Sequence, residues 1–163
     1  MQFFIHPGIG TETLFAVSDT QGRSVYSVIG DSLSIGSKIC VIDHNQQEVA
    51  RIYSVGVPTV SKYSIFIDNK ERARVIQNLT AARHPVKLKG ISWRFRGDLL
   101  SRSYDIINVD STVIMTHGCC WNLGKDCFAV DVTNQCDTLL CICIAVILDS
   151  TVMTGTAAVL PVG

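Results

Sequence analysis

Basic residues that alternate with apolar ones are the feature of this sequence with the clearest chemical use. Three such pairs occur in one segment: Arg72 and Arg74, Lys87 and Lys89, and Arg94 and Arg96. Side chains at alternate positions of a β-strand point to the same face, so each pair predicts two outward-facing cations. If the three strands are neighbours, the six cations share one outer surface. Such a surface attracts phosphate groups, whether of lipid head groups or of nucleic acid.

The charges of the whole chain are segregated in the same way. The chain has 14 basic and 14 acidic residues, yet residues 62–102 hold ten of the basic and three of the acidic ones, a net charge of +7. A segment this basic is typical of an anion-binding region. Exposed strands also need polar outward side chains, and Lys or Arg at a sheet edge discourages aggregation. A solvated face without a ligand is therefore the simpler interpretation, and an anion-binding face is the alternative.

Among anionic partners, the sequence favours phospholipid over nucleic acid, because no aromatic side chains lie on the same face as the cations to stack on bases. We therefore expect an anionic membrane surface as the partner of a monomeric protein. The sequence names no protein partner.

A second cluster with chemical potential is His117-Gly118-Cys119-Cys120. A cysteine beside a histidine can act as a nucleophile, and both side chains can bind zinc. A zinc site needs closely spaced cysteine pairs and further ligands, but the next cysteine is Cys127 and no histidine follows. Cysteines in strands are the simpler interpretation, and a thiol-dependent enzyme using Cys119 or Cys120 is an alternative.

Other motifs of catalysis and cofactor binding are missing from the sequence, including the Walker loop, HExxH, GxSxG and CxxC. We expect no catalytic residue, no metal and no cofactor, and hence a protein that is not an enzyme.

Cysteine usage and the N-terminus bear on localisation. The seven cysteines are an odd number, and most lie in apolar runs, as reduced and buried cysteines do. The N-terminal residues carry no basic segment followed by a long apolar one, so a signal peptide is not expected. Both observations favour the cytoplasm, with peripheral membrane contact as an extension.

The residues that carry these side chains fall into short strands separated by turns. Three hairpins have the same plan, in which a β-branched run is followed by an aspartate-led polar turn and a second run. The turn aspartates are Asp19, Asp43 and Asp68, spaced by 24 and 25 residues. An aspartate can accept hydrogen bonds from backbone N–H groups two residues on, so it starts such turns.

Further strands are predicted at 86–88, 92–95, 103–107, 112–116 and 127–132, with short ones near Phe3 and near 34–35 or 120–121. Glycine or asparagine and aspartate separate them, at Gly90, Gly97-Asp98, Asn108 and 122–126. About twelve strands with local connections leave exposed edges unless the sheet closes. A closed antiparallel barrel is therefore favoured, with a two-sheet sandwich as the alternative.

The C-terminal region has a different character. Residues Leu139 to Leu148 form a run of ten apolar side chains, bounded by Asp137 and Asp149. A helix that is apolar on every face must be surrounded by protein or lipid, and a membrane-spanning helix needs about 20 residues. We expect a central helix at about 137–149 threaded through the barrel, with a tail at 153–163, in a single domain over 1–163. A transmembrane helix and a long buried strand are the alternatives.

These residues together resemble the LURP-one-related family, whose relatives are the phospholipid scramblases and the C-terminal domain of tubby proteins. The resemblance rests on the segments 15–26, 42–50, 62–68 and 91–97, followed by the apolar helix, and covers roughly residues 3 to 152. It implies a twelve-stranded β-barrel enclosing a hydrophobic helix. The cysteine-rich stretch at 118–122 departs from the family pattern, which has more charge there.

The resemblance also bears on function. Tubby domains bind phosphoinositides, so it makes lipid contact plausible without assigning head-group residues to this chain. We expect a non-enzymatic binding or scaffold domain, with a scramblase-like membrane protein that inserts its C-terminal helix as the alternative.

Overall fold

Twelve antiparallel strands form one sheet that curls into a nearly closed barrel around a C-terminal helix. The computed structural model describes residues 1–8, 13–30, 37–57, 60–78, 80–81, 84–120 and 127–159. The strands are β1 (Gln2–Pro7), β2 (Thr13–Asp19), β3 (Ser24–Ile29), β4 (Lys38–Asp43), β5 (Glu48–Val57), β6 (Val60–Ile67), β7 (Lys70–Gln77), β8 (Val86–Lys89), β9 (Trp93–Asp98), β10 (Ser103–Asn108), β11 (Val113–Cys120) and β12 (Cys127–Val132). The predicted barrel is confirmed.

The order of strands in the sheet is β8-β7-β6-β5-β4-β3-β2-β1-β12-β11-β10-β9. Sequence neighbours pair at every step except between β8 and β9, and the first strand, β1, pairs with the last, β12. Strands β8 and β9 are the two edges, and a connection of three residues, 90–92, brings them together. Within the described part of the chain, these two strands share no ladder of hydrogen bonds, so we call the line between them the seam.

The antiparallel arrangement gives the barrel two different ends. The connections after β2, β4, β6, β8 and β10 lie at one end, which we call the turn end. The connections after β1, β3, β5, β7, β9 and β11 lie at the opposite end, the loop end. Strand β12 finishes at the turn end, so the helix that follows begins there and runs toward the loop end.

Aspartates form two of the three repeated turns as the sequence predicts. One carboxylate oxygen of Asp19 accepts from the backbone N–H groups of Gln21 and Arg23, each at 2.9 Å. Asp43 bonds the N–H groups of Asn45 and Gln47 in the same way, at 2.9 and 3.0 Å. These bonds hold the four-residue turns in shape.

The third turn is built differently from the prediction. Asp68 and Asn69 form the whole two-residue turn, with φ angles of 54° and 60°. Two consecutive residues with positive φ match the twist of the flanking strands, and aspartate and asparagine tolerate this conformation well. Asp68 therefore contributes its backbone, where Asp19 and Asp43 contribute their side chains.

The end of strand β9 also differs from the prediction. Gly97 and Asp98, predicted to separate strands, are the last residues of β9 and pair with Tyr104 and Ser103. Gly97 has a φ of 128°, and a Cβ atom there would lie 2.7 Å from the carbonyl oxygen of Ser103. A glycine inside a strand thus marks a close approach of two backbones. The possible strand at 34–35 lies outside the described residues, as does residue 121.

The C-terminal helix α1 (Thr138–Val159) follows a short 3₁₀ turn, η1 (Gln135–Asp137). The side chain of Asn134 accepts from the N–H of Cys136 at 3.1 Å and so caps this start. Every residue from Leu140 to Asp149 is buried, and those from Cys141 onward are completely inaccessible. From Leu140 to Asp149 the helix is therefore surrounded on all sides by the inward-facing residues of the strands.

The helix differs from its predicted limits. It begins at Thr138 and its backbone continues to Val159, beyond the predicted end at 149 and into the predicted tail at 153–163, of which 160–163 lie outside the described residues. Among the described residues, no helix combines the length and the apolar character that crossing a membrane requires. The single domain over 1–163 stays a prediction.

The turn at Asp19 makes a testable contribution to stability. Backbone N–H bonds, that of Arg23 foremost, hold the pKa of Asp19 below its ordinary value of 3.8. A lowered carboxylate pKa stabilises the fold above the ordinary value, and this stability is lost as the pH falls through the lowered pKa. We expect Asp19→Asn to lower the Tm at pH 7 and the difference from the wild type to close in acid. Thermal melts from pH 7 to pH 2 test this; a difference independent of pH contradicts it.

Candidate functional site

The six predicted cations all lie on the outer surface of the barrel. Arg72, Arg74, Lys87, Lys89, Arg94 and Arg96 are exposed. Their apolar neighbours Ala73, Val75, Val86 and Trp93 are buried, and Leu88 and Phe95 are half-buried. The alternation that the sequence predicts is therefore present in β7, β8 and β9.

The strand register brings the cations of different strands together. Arg74 lies directly opposite Lys89, and Ile76 lies opposite Lys87, in the ladder between β7 and β8. Lys62 of β6 is paired with Ile76, which places a further exposed cation on the same surface. Adjacent strands are about 4.8 Å apart, so these side chains form one basic face.

Two arginines of this face are already engaged by carboxylates. Arg74 forms an ion pair with Glu71, and Arg96 forms one with Asp105 at 2.8 Å. Arg94 donates to the backbone carbonyl of Val109 at 3.1 Å, a bond that leaves its charge uncompensated. Arg72, Lys87 and Lys89 form no ion pair with any residue that the structure describes. These three, together with Lys62 and Arg94, therefore supply the free positive charge.

A cleft runs along the seam between β8 and β9. It has a volume of about 430 Å³, and its rim carries Lys87, Lys89, Arg94 and Arg96. Apolar side chains line the rest of it, among them Leu88, Phe95 and Ile107. An apolar cleft with a cationic rim suits an amphipathic anion, whose charged group lies on the rim and whose apolar part lies within.

Behind this face, the barrel interior contains a polar pair that sequence analysis missed. His117 of β11 and Asp149 of α1 have completely buried side chains, with the imidazole Nε2 at 3.0 and 3.1 Å from the two carboxylate oxygens. The imidazole Nδ1 lies 2.6 Å from the carbonyl oxygen of Arg102. A carbonyl only accepts, so Nδ1 carries a proton, and a further proton lies between Nε2 and the carboxylate.

Aromatic rings hold His117 in this position. The ring of Tyr104 stacks on one face at 4.4 Å and that of Phe128 on the other at 5.2 Å, and the guanidinium of Arg102 lies 4.7 Å from the Phe128 ring centre. Burial, and then the negative charge of Asp149, raises the pKa of Tyr104 well above its usual range. The pair and its stack attach the helix to the barrel wall at the loop end.

This arrangement corrects the interpretation of Asp149 as the residue that ends the helix. The helix continues through it, and His117 gives the buried carboxylate a hydrogen-bond partner at one oxygen and a close contact at the other. A signal existed in the sequence, since His117 follows Met115 at the inward-facing spacing of a strand. Only the fold shows that the two polar residues meet.

The structure separates the residues of the His117–Cys120 segment. His117 and Cys119 alternate with Gly118 and Cys120, so the histidine and Cys120 lie on opposite faces of β11. Cys119 is exposed and Cys120 is half-buried. Among the described residues, no three side chains of the metal-binding types are grouped to hold an ion. Elsewhere, burial raises the pKa of Cys143 in the helix to about 12, which keeps it a protonated packing residue.

The architecture defines a class of protein: a twelve-stranded antiparallel barrel filled by its own C-terminal helix. A solved X-ray structure of an Arabidopsis thaliana protein has this fold, with a TM-score of 0.64 at 14% identity, over 92% of this chain and 90% of the other. The family model described as LURP-one-related matches residues 1–149. The chain therefore belongs to the LURP-one-related family, as the sequence resemblance predicts.

A curated relative of the chain is a bacterial protein. It is 22% identical over 135 residues, covers 83% of each chain, and is described as uncharacterized protein YxjI of Bacillus subtilis strain 168. The function of this chain is therefore argued from its own residues.

The buried pair predicts a characteristic pattern of stability. Removing one partner leaves an uncompensated buried polar group, so we expect His117→Leu and Asp149→Leu each to cost about 3–5 kcal/mol in the free energy of unfolding. The double variant should cost less than either single one, because it leaves no buried group unpaired. Urea unfolding measures all four proteins. Additive costs would show that the two residues do not stabilise each other.

Proposed function

We propose that this protein is a non-enzymatic binding domain that recognises anionic phospholipid head groups through the basic face at the seam. The cleft between β8 and β9, with its cationic rim and apolar lining, is the observation that carries the proposal. A phospholipid combines the two features that this cleft complements, an anionic phosphate and apolar acyl chains. Free inorganic phosphate has only the first of them.

The pattern of ion pairs supports this assignment. Glu71 and Asp105 compensate two of the arginines, whereas Arg72, Lys87 and Lys89 have no carboxylate partner among the described residues. The two lysines lie on β8, at the edge of the cleft, where a head group would meet them first. Each cation near a membrane surface contributes about 1 kcal/mol of binding free energy.

The buried helix supports a binding role over a translocating one. For residues 139–148 to enter a bilayer, the helix would have to leave the barrel and break the His117–Asp149 bonds. The inward-facing side chains of the strands would then lose the apolar partner that fills the interior. A binding domain needs no such rearrangement, because its ligand contacts the outer surface.

Binding to vesicles tests the proposal with a matched pair of variants. Arg72→Gln, Lys87→Gln and Lys89→Gln together remove three unpaired cations of the basic face. Arg23→Gln, Lys38→Gln and Arg51→Gln remove the same charge from strands and turns away from it. We expect the first variant to lose roughly 100-fold in affinity for phosphatidylcholine vesicles containing phosphatidylserine or a phosphoinositide. The second variant should bind nearly as the wild type does.

Sedimentation with vesicles measures these affinities. The assay is run at two salt concentrations, because salt screens interactions between exposed charges and should weaken the binding. Equal losses of affinity in the two variants would show that binding depends only on net charge, and this would contradict binding through the basic face. Binding to vesicles of phosphatidylcholine alone, or competition by inorganic phosphate at equal concentration, would contradict the recognition of an anionic lipid. Tighter binding to RNA than to vesicles would assign the face to nucleic acid.

A further inference from the structure

Two cysteines face each other across neighbouring strands on the outside of the barrel. Cys120, the last residue of β11, is the direct partner of Cys127, the first residue of β12. Both are free thiols. Directly opposed residues of antiparallel strands have Cα atoms about 4.5–5.5 Å apart, inside the range that a disulfide spans.

The face of β11 on which each cysteine lies determines whether Cys119 or Cys120 can pair with Cys127. Side chains alternate, so the neighbouring Cys119 points to the opposite face of the sheet, where its partner across the ladder is Phe128. Cys119 is also near the carbonyl oxygen of Ser101, at 3.9 Å. Of the two adjacent cysteines, only Cys120 shares a face with Cys127.

The surroundings of the two thiols differ. Cys127 is buried, with 3% of its surface exposed, whereas Cys120 is half-buried and lines a cleft of about 480 Å³. His6 and Ser18 line the same cleft and are hydrogen-bonded to each other at 3.2 Å. A small reagent therefore reaches Cys120 through the cleft. Burial and the neighbouring Cys120 thiol raise the pKa of Cys127 to about 11.

We propose that Cys120 and Cys127 are a reversible oxidation site, in which a hydroperoxide converts the pair of thiols into a cross-strand disulfide. The Cys120 sulfur, as its thiolate, attacks one oxygen of hydrogen peroxide; the O–O bond breaks, a sulfenic acid forms, and the departing hydroxide takes up the thiol proton as water. The Cys127 sulfur then attacks the sulfenic sulfur. An S–S bond forms, the S–O bond breaks, and the hydroxyl leaves with the Cys127 proton as a second water.

Over these two steps the two thiols lose two electrons and two protons, and one peroxide molecule becomes two water molecules. A thiol reductant reverses the step by thiol–disulfide exchange. The disulfide ties the ends of β11 and β12 together at the loop end, next to the strand positions of His117 and Phe128.

Mass spectrometry of the whole chain tests the proposal. The reduced protein is treated with hydrogen peroxide, the remaining thiols are blocked with N-ethylmaleimide, and the masses before and after dithiothreitol are compared. We expect the disulfide to lower the mass of the chain itself by roughly 2 Da and to leave two fewer thiols open to N-ethylmaleimide. Dithiothreitol should reverse both changes. Lys125 lies between the two cysteines in the sequence, so trypsin leaves peptides 103–125 and 126–163 joined by the disulfide.

Three variants identify the sulfur atoms involved. Cys119→Ser is the matched control and should form the disulfide as the wild type does, whereas Cys120→Ser should not form it. Cys127→Ser should stop at the sulfenic acid of Cys120, which dimedone traps as an adduct. A disulfide that disappears in Cys119→Ser, that joins two chains, or that does not form at all would overturn the proposal. So would a Cys127→Ser protein in which dimedone labels another cysteine first.

Discussion

The burial of an entirely apolar helix is the constraint on which this structure depends. A helix with an apolar residue at every position from Leu139 to Leu148 has no side that water can solvate favourably, so its whole circumference has to be covered. Each fully buried isoleucine, leucine or valine contributes about 1.5–3 kcal/mol relative to exposure. Twelve strands supply the covering. A smaller barrel would be filled by its own side chains and would leave no room for the helix.

Filling the interior in this way directs binding to the outside. The inward-facing positions of the strands pack against the helix, and outward-facing positions are free to carry charge. The basic face occupies such positions on β7, β8 and β9. The seam adds a second property, because the sheet closes there without a ladder of hydrogen bonds and leaves a cleft between two strand edges. A surface of this kind combines charge, apolar lining and shape, which a continuous sheet would not offer.

The two proposals concern different parts of the outer surface. The basic face lies at the seam, whereas Cys120 and Cys127 lie on β11 and β12, beside β1. The buried His117–Asp149 pair belongs to neither site. It holds the helix at Asp149 against β11, and its aromatic stack reaches β10 and β12. The loop end of the barrel is thus kept together by polar and aromatic contacts, whereas the middle depends on apolar packing.

The sequence by itself determined the class of fold and the direction of most side chains. A period of two along a strand assigns each residue to one face, so the outward position of Arg74 or Lys89 and the burial of Val75 could be derived locally. The same holds for the turns at Asp19 and Asp43, since their hydrogen bonds span only a few residues. The apolar run likewise required enclosure wherever it lay.

What only the tertiary structure decided are the contacts between residues far apart in the chain. His117 and Asp149 are 32 positions apart, and each could be satisfied by many partners, so nothing local indicates that they meet. The seam, the pairing of Arg96 with Asp105 and the pairing of Cys120 with Cys127 depend on strand order and register. Register is set by how the whole barrel packs on the helix, since a shift of one residue would turn each strand's apolar face to water.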